Sequence, residues 1–382
     1  MSQALAMEFL CPDQVFDGQL LLTGRALGVV AGKVISLDLV KDVPPGAARH
    51  RFGGTIAAGF IDLQVNGGGD VFLNSNPTVN GMAAIAAAHR RFGTVGILPT
   101  LITDAPEVLA QAVDAALAAQ GMPGILGLHI EGPHISVTRR GTHATRFIRP
   151  MDTATLAHVT RLRHAGIAVM ITVAPESIRL DQVAQLAETG AVVSIGHSDA
   201  SADDARALIK AGATCFTHLF NAMSPMLNRA PGVTGACINS TAYSGLICDG
   251  IHVADEMVAL AIRARPQPDR MFLVSDAMPT VGGADHFMLY GREIRLVDGR
   301  LVNSEGSLAG AHVTLADSLA RLITVLGVAP DLALRMATSI PAKVIGAPQL
   351  GGVLGRSLQD LVRIGPDWRV VSTGIRLGEP VR

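Results

Sequence analysis

Between Gly127 and Ser136 the chain reads GLHIEGPHIS. His129, Glu131 and His134 crowd a glycine-proline turn, and each side chain can ligate a metal or move a proton. Elsewhere, apolar runs end in further polar groups: Gln64 and Asn66, Glu176, His197, His218, Asp249 followed by His252, and Asp276. Each has a plain structural role open to it. A histidine after an apolar strand is commonly a hydrogen-bonded core residue, and an aspartate there commonly caps the next helix or closes a turn, the role expected of Asp199 in GHSDASADDA. Joint occurrence points further. A carboxylate with two imidazoles is a recurrent catalytic zinc set that leaves one position open for water, and Glu131, His197 and His218 supply it.

Residues this far apart meet only if the fold gathers strand ends. The runs TIAAGFIDLQV, GTVGILPTLIT, GILGLHIEG, AVMITVAPE, AVVSIGHSD, TCFTHLFNA, SGLICDG and MFLVSDAM are short and continuously apolar. Helical segments such as GMAAIAAAHRRFG, DAPEVLAQAVDAALAAQ and SADDARALIKAG separate several of them. Such strands alternating with helices read as a parallel sheet covered by helices, and eight units fit a (β/α)8 barrel. The carboxyl ends of all eight strands then share one face, where barrel enzymes keep their chemistry. Side chains alternate along a strand, so His129 and Glu131 point the same way. Glu131 sits at the end, His129 one layer deeper, and His134 on the loop beyond. Residues 1–53 and 346–382 read instead as short strands and turns, so a small β-sandwich domain built from both termini is expected beside a barrel spanning 54–345. The connection between Asn221 and Ser244 reads as a loop.

Bulk properties narrow the function. Of 382 residues, 49% are hydrophobic and 16% charged, which allows a large core. Lys and Arg number 31 against 32 Asp and Glu. That balance offers no electrostatic footprint for nucleic acid or an anionic membrane. No apolar run reaches the ~18–20 residues of a membrane span. The N-terminus has no basic start followed by an apolar stretch, so no signal peptide is read there. Cys11, Cys215, Cys237 and Cys248 lack CxxC spacing and read as free, mostly buried thiols. A cytoplasmic protein is expected, without nucleic acid or membrane as partner.

Six segments carry a resemblance: GFIDLQVNGGG, LHIEGPHIS with RRGTH after it, SIGHSDA, THLFNAMSPMLNRAPGVTGA, CDGIHV and LVSDAMPTVGG. In this order, over nearly the whole chain, they resemble the N-acetylglucosamine-6-phosphate deacetylases of the amidohydrolase superfamily. The resemblance implies that Glu131, His197 and His218 hold one divalent metal per chain, zinc, and that Asp276 is the general acid/base. It implies that His143 contacts the substrate carbonyl. It also implies that Asn221 and Ala222 bind the phosphate through their backbone, and that Arg229 and His252 bind it near a homodimer interface. The substrate would be an amino-sugar phosphate.

The sequence departs from binuclear amidohydrolases at the first strand, which ends Gln64-Val65-Asn66 where they carry His-x-His. Amides are poor ligands for a borderline-soft ion, so a second metal lacks its ligands. The fourth strand supplies no bridging lysine, and Glu176 reads as a structural or loop contact. A second departure is Ala230, where many relatives carry an acidic residue beside the arginine. Two alternatives stand beside the main reading: a deacetylase of N-acetylgalactosamine 6-phosphate, and a non-catalytic sugar-phosphate sensor.

Overall fold

Eight short strands form a parallel barrel: β1 (Phe60–Val65), β2 (Thr94–Ile102), β3 (Gly127–Glu131), β4 (Ala168–Val173), β5 (Val192–Ile195), β6 (Cys215–Phe216), β7 (Tyr243–Leu246) and β8 (Met271–Leu273). Each pairs with its neighbour in chain order. The computed structural model describes residues 7–302 and 308–377, so the outermost ends of the expected small domain, 1–6 and 378–382, lie outside the described residues. Every position of β1, β2 and β3 is buried, as expected of strands covered on both faces. The ring closes after β8, where the Asp276 N–H donates to Gln64 O (3.0 Å) and the Asn66 N–H to Ala277 O (2.9 Å). The buried Asp62 carboxylate reinforces this seam by accepting the backbone N–H groups of Gln64 and Ser275. Burial pushes its pKa up to about 7.

The outer helices repeat one device. Thr78, Asp152, Ser201 and Thr314 each accept a backbone N–H three residues on, satisfying a donor the helix cannot. Ser201, then, caps the helix after β5, and Asp199 does not. Asp199 instead accepts Arg139 Nε at 2.7 Å, tying two loops at the barrel mouth. Between Asn221 and Ser244, where the sequence reads as a loop, the buried helix Gly232–Ile238 forms. Its Pro- and Gly-rich start conceals it from periodicity.

Both ends of the chain contribute to one seven-stranded mixed sheet. Arg49–Ala58 pairs with Glu8–Phe16 on one side and Leu361–Ile364 on the other. The sheet therefore runs past the boundary at residue 53 to Ala58. The apolar run TIAAGFIDLQV holds two strands of two sheets, broken at Gly59, where an added Cβ would lie 2.3 Å from the Val95 side chain. The far edge curls back, with Val34 N–H donating to Arg356 O and Gly355 N–H to Val34 O, around Leu10, Leu27, Ile56 and Leu361.

A further antiparallel sheet follows β8, formed by His286–Leu289, Arg292–Val297 and Arg300–Val302. Tyr290-Gly291 and Asp298-Gly299 take left-handed φ at its two turns. Its apolar face, with Phe287, Leu289 and Ile294, packs on Phe72, Ile102 and Met278 beside the strand ends. The four cysteines are unpaired, three of them buried. Among the described residues no helix is long and apolar enough to cross a membrane.

Candidate active site

The carboxyl ends of the strands surround a cavity of about 210 Å3, lined by Asn66, Glu131, His143, His197, His218, Asn221, Ala222, His252 and Asp276 among others. Three of these residues leave their strands through a left-handed backbone: His197 (φ 49°), His218 (φ 28°) and Asp276 (φ 51°). Histidine and aspartate tolerate this region better than most residues, but it still carries strain. Strain gathered at polar strand ends marks where the fold sacrifices backbone comfort to aim side chains inward.

At the centre, Glu131 Oε1 lies 3.2 Å from His197 Nε2 and 3.0 Å from His218 Nε2, and the two nitrogens are 3.1 Å apart. Two neutral imidazoles bring at most two protons to these three contacts. A cation satisfies all three. Donors on a tetrahedral zinc lie about 3.3–3.6 Å from one another, slightly wider than the spacing here. His197 Nδ1 faces the carbonyl of Arg139 at 2.9 Å. A carbonyl only accepts, so Nδ1 carries the proton and Nε2 keeps its lone pair for the centre. Burial pushes the Glu131 carboxyl up, but the two histidines beside it outweigh that and hold it well below the usual range. His218 is pushed down by burial and raised, on balance, by Glu131. The cluster is therefore able to hold a metal ion.

Glu131, His143 and His197 also bring ligand atoms within 4.8 Å of one another. The tautomer of His143 argues against that set. Its Nδ1 receives the backbone N–H of Thr103 (3.3 Å) and lies 2.7 Å from Thr103 Oγ1. A backbone N–H only donates, so Nδ1 is the acceptor and Nε2 carries the proton. Burial and the charge of His197 push the His143 pKa down to about 3, so the ring is neutral. His143 is thus a hydrogen-bond donor beside the centre, suited to a carbonyl oxygen.

The first strand contributes donors. Gln64 Nε2 donates to Glu131 Oε1 (2.9 Å) and Asp276 Oδ1 (3.1 Å), and Asn66 Nδ2 donates to Asp276 Oδ1 (2.7 Å). Amides standing where a second metal would need ligands instead aim two carboxylates. Burial and the nearby Glu131 charge raise the Asp276 pKa, which suits a group that takes up and returns a proton.

On the opposite side, His252 Nδ1 lies 2.6 Å from Asp249 Oδ2. Burial lowers the His252 pKa, but Asp249 more than restores it and leaves it raised. Its Nε2 is buried with no partner among the described residues, as are Asn66 Oδ1 and His218 Nδ1. His252 and Asn66 both line the cavity, so their orphaned atoms are places for a ligand. The Asn221 N–H closes a turn on His218 O (3.0 Å), so it is already spent. The Ala222 N–H has no acceptor among the described residues. Arg229 does not join this cavity: it stands exposed on the loop after β6, without a carboxylate partner among the described residues.

The other acidic and imidazole groups tie loops. His129 bonds Thr172 Oγ1 (2.8 Å) below the centre, and His134 spans Arg149 O and Thr155 Oγ1. Glu176 accepts from Ser198 Oγ and the Asp199 N–H, bracing the turn behind His197. Sequence reading missed Thr103 and the Arg139 carbonyl. Thr103 ends the β2 run and was visible as a polar strand end, whereas a backbone acceptor has no letter of its own.

Comparison with known proteins places the chain. It is 37% identical over 361 residues to the N-acetylgalactosamine-6-phosphate deacetylase of Shewanella sp. (strain ANA-3), covering 91% of this chain and 88% of that one. It is 31% identical over 328 residues to the N-acetylglucosamine-6-phosphate deacetylase of Haemophilus influenzae (84% and 85% covered). Among solved structures, it superposes on the Pasteurella multocida N-acetylglucosamine-6-phosphate deacetylase with a TM-score of 0.89, at 33% identity over 97% of this chain and 98% of that one. A mutant of the Mycobacterium smegmatis enzyme in complex with N-acetyl-D-glucosamine-6-phosphate gives 0.87, at 31% identity over 98% and 99%. No family model matches the chain.

Proposed function

The chain belongs to the N-acetylglucosamine-6-phosphate deacetylases of the amidohydrolase superfamily, and from this we propose that it hydrolyses the N-acetyl group of N-acetylglucosamine 6-phosphate to glucosamine 6-phosphate and acetate. The observation that carries the reading is the convergence of Glu131, His197 and His218 beside a proton-donating His143 and a raised-pKa Asp276. We assign the first three as ligands of one divalent ion, zinc. When bound, the ion supplies Lewis acidity and makes water a nucleophile near neutral pH. His143 Nε2–H binds the carbonyl oxygen and the negative charge that develops there. Asp276, held by Gln64 and Asn66, takes the proton from the attacking water and passes it to the leaving nitrogen. The phosphate lies against His252 and the Ala222 N–H, and its binding energy positions the amide. In this reading the small sheet domain takes no part in the chemistry.

A second reading has its own support. The 37%-identical relative acts on the galacto epimer by name. Acetate release from both N-acetylhexosamines, each with and without 6-phosphate, decides between them, with metal content measured on the same sample. We expect one equivalent of zinc and the highest kcat/KM on N-acetylglucosamine 6-phosphate. Preference for the galacto sugar replaces the substrate. Two metals, both needed for full activity, replace the assigned centre.

Arg229 reaches the phosphate from a second copy in this reading, since it is exposed, unpaired with any described carboxylate and outside its own cavity. A homodimer follows. A hydrogen bond to a charged group contributes about 1.5–3 kcal/mol, so Arg229→Ala should lower kcat/KM on the phosphorylated sugar about 10- to 100-fold. Arg229→Lys should fall between, because lysine lacks the paired fork. The unphosphorylated sugar should be little affected. Equal losses on both sugars would make Arg229 structural.

A further inference from the structure

The segment 139–149 carries more positive charge than the proposed reaction uses. Arg139 pairs with Asp199 and Arg149 with Asp152. Arg140 and Arg146 have no carboxylate partner among the described residues. Both line a second cavity of about 590 Å3, which Arg292 lines as well. This cavity and the catalytic one share Gly141, Thr142, His143 and Leu308 as a common wall.

Arg146 is held in place. Its guanidinium lies 4.5 Å from the Phe147 ring centroid and 5.8 Å from that of Tyr290. Tyr290 is itself fixed by donating its hydroxyl to Thr103 O at 2.5 Å. Ala222 and His252, the residues assigned to the phosphate, line the catalytic cavity and not this one. His143 thus borders both cavities, whereas the phosphate residues border only the catalytic one.

We propose that this cavity is a carboxylate-binding site on the acyl side of the reaction. The proposal rests on amide hydrolysis at His143. A carbonyl held by His143 Nε2–H lies against the shared wall, and hydrolysis turns that acyl group into a carboxylate. The cavity that shares this wall is lined by Arg140 and Arg146, whose guanidinium fork matches a carboxylate. Two sources share this chemistry: the acetate released, and a carboxylate at the far end of a longer N-acyl chain, such as succinyl.

The test compares the metal-loaded full chain with an Arg140→Gln/Arg146→Gln double variant. Calorimetric titration with acetate and with succinate comes first, because it needs no turnover. Loss of charge-assisted hydrogen bonds should weaken succinate binding about tenfold or more in the variant. Unchanged binding overturns the proposal, whatever the substrate of the enzyme. Two kinetic arms then separate the sources. One is inhibition of N-acetyl hydrolysis by acetate. The other is kcat/KM for N-succinyl against neutral N-pentanoyl glucosamine 6-phosphate. A succinyl advantage that the double variant loses assigns the site to a substrate carboxylate. Weakened acetate inhibition alone assigns it to the product. Weakened binding with neither arm changed overturns the acyl-side placement. Absence of turnover on every N-acyl sugar phosphate defeats the deacetylase reading, and the titration result then stands by itself.

Discussion

Asp276→Asn should lower turnover by about 10²- to 10⁴-fold, the usual cost of removing general acid/base help. The substitution keeps the size of the side chain and removes its ability to hold a proton. Two amides, Gln64 Nε2 and Asn66 Nδ2, now aim their hydrogens at Asp276 Oδ1. Both are donors, so an asparagine must present its oxygen to them, and its own NH2 then points where a proton acceptor is needed. The variant is therefore well placed and inert. Glu131, His197 and His218 remain in contact with one another, so metal content should stay at the wild-type level. KM should change less than kcat, because the residues assigned to the phosphate are untouched. The measurements are single-turnover and steady-state acetate release, with elemental analysis of the same sample. Turnover within about tenfold of wild type would move the proton carrier elsewhere.

How the site could be read from the sequence depends on what kind of group does each job. All eight barrel strands are legible because both faces of each are covered, which forces continuous apolar runs, and every run ends in a polar residue where the ring opens. Glu131, His197, His218 and Asp276 stand at such ends and meet in space. What is not legible is held by backbone. The Arg139 carbonyl fixes the tautomer of His197, and the Thr103 N–H fixes that of His143, yet neither job selects a side chain. Arg229 follows β6 on a loop whose direction no periodicity encodes, so its distance from its own cavity appears only in three dimensions. The sheet at 286–302 does carry a signal. Asp298-Gly299 between alternating runs favours a two-residue hairpin, but the rhythm of strand and helix gives no reason to look for one there. Gly59 is the converse case: one apolar run crosses from the small sheet into β1, and the break is a close approach to Val95 that sequence alone does not display.

Glu131→Gln should strip the metal and, with it, turnover. Two overlapping trios could hold an ion, one completed by His218 and the other by His143. The variant removes the carboxylate common to both, and His143→Gln distinguishes them. In Glu131→Gln the negative charge between two imidazoles is gone, and an amide is a poor ligand for zinc. After dialysis the wild type should retain its ion and this variant should not. Lewis-acid stabilisation contributes several kcal/mol and each 1.36 kcal/mol is tenfold, so turnover should fall by about 10²-fold or more. His143→Gln should behave differently. The Thr103 N–H makes Nδ1 an acceptor and leaves Nε2 protonated, so His143 offers no lone pair to an ion. Its metal content should match wild type. Losing one donor to a developing oxyanion typically costs about 10²- to 10³-fold in kcat, and that loss should appear with the ion still bound. Metal loss in His143→Gln, with retention in His218→Gln, would reverse the ligand assignment and require the opposite tautomer at His143.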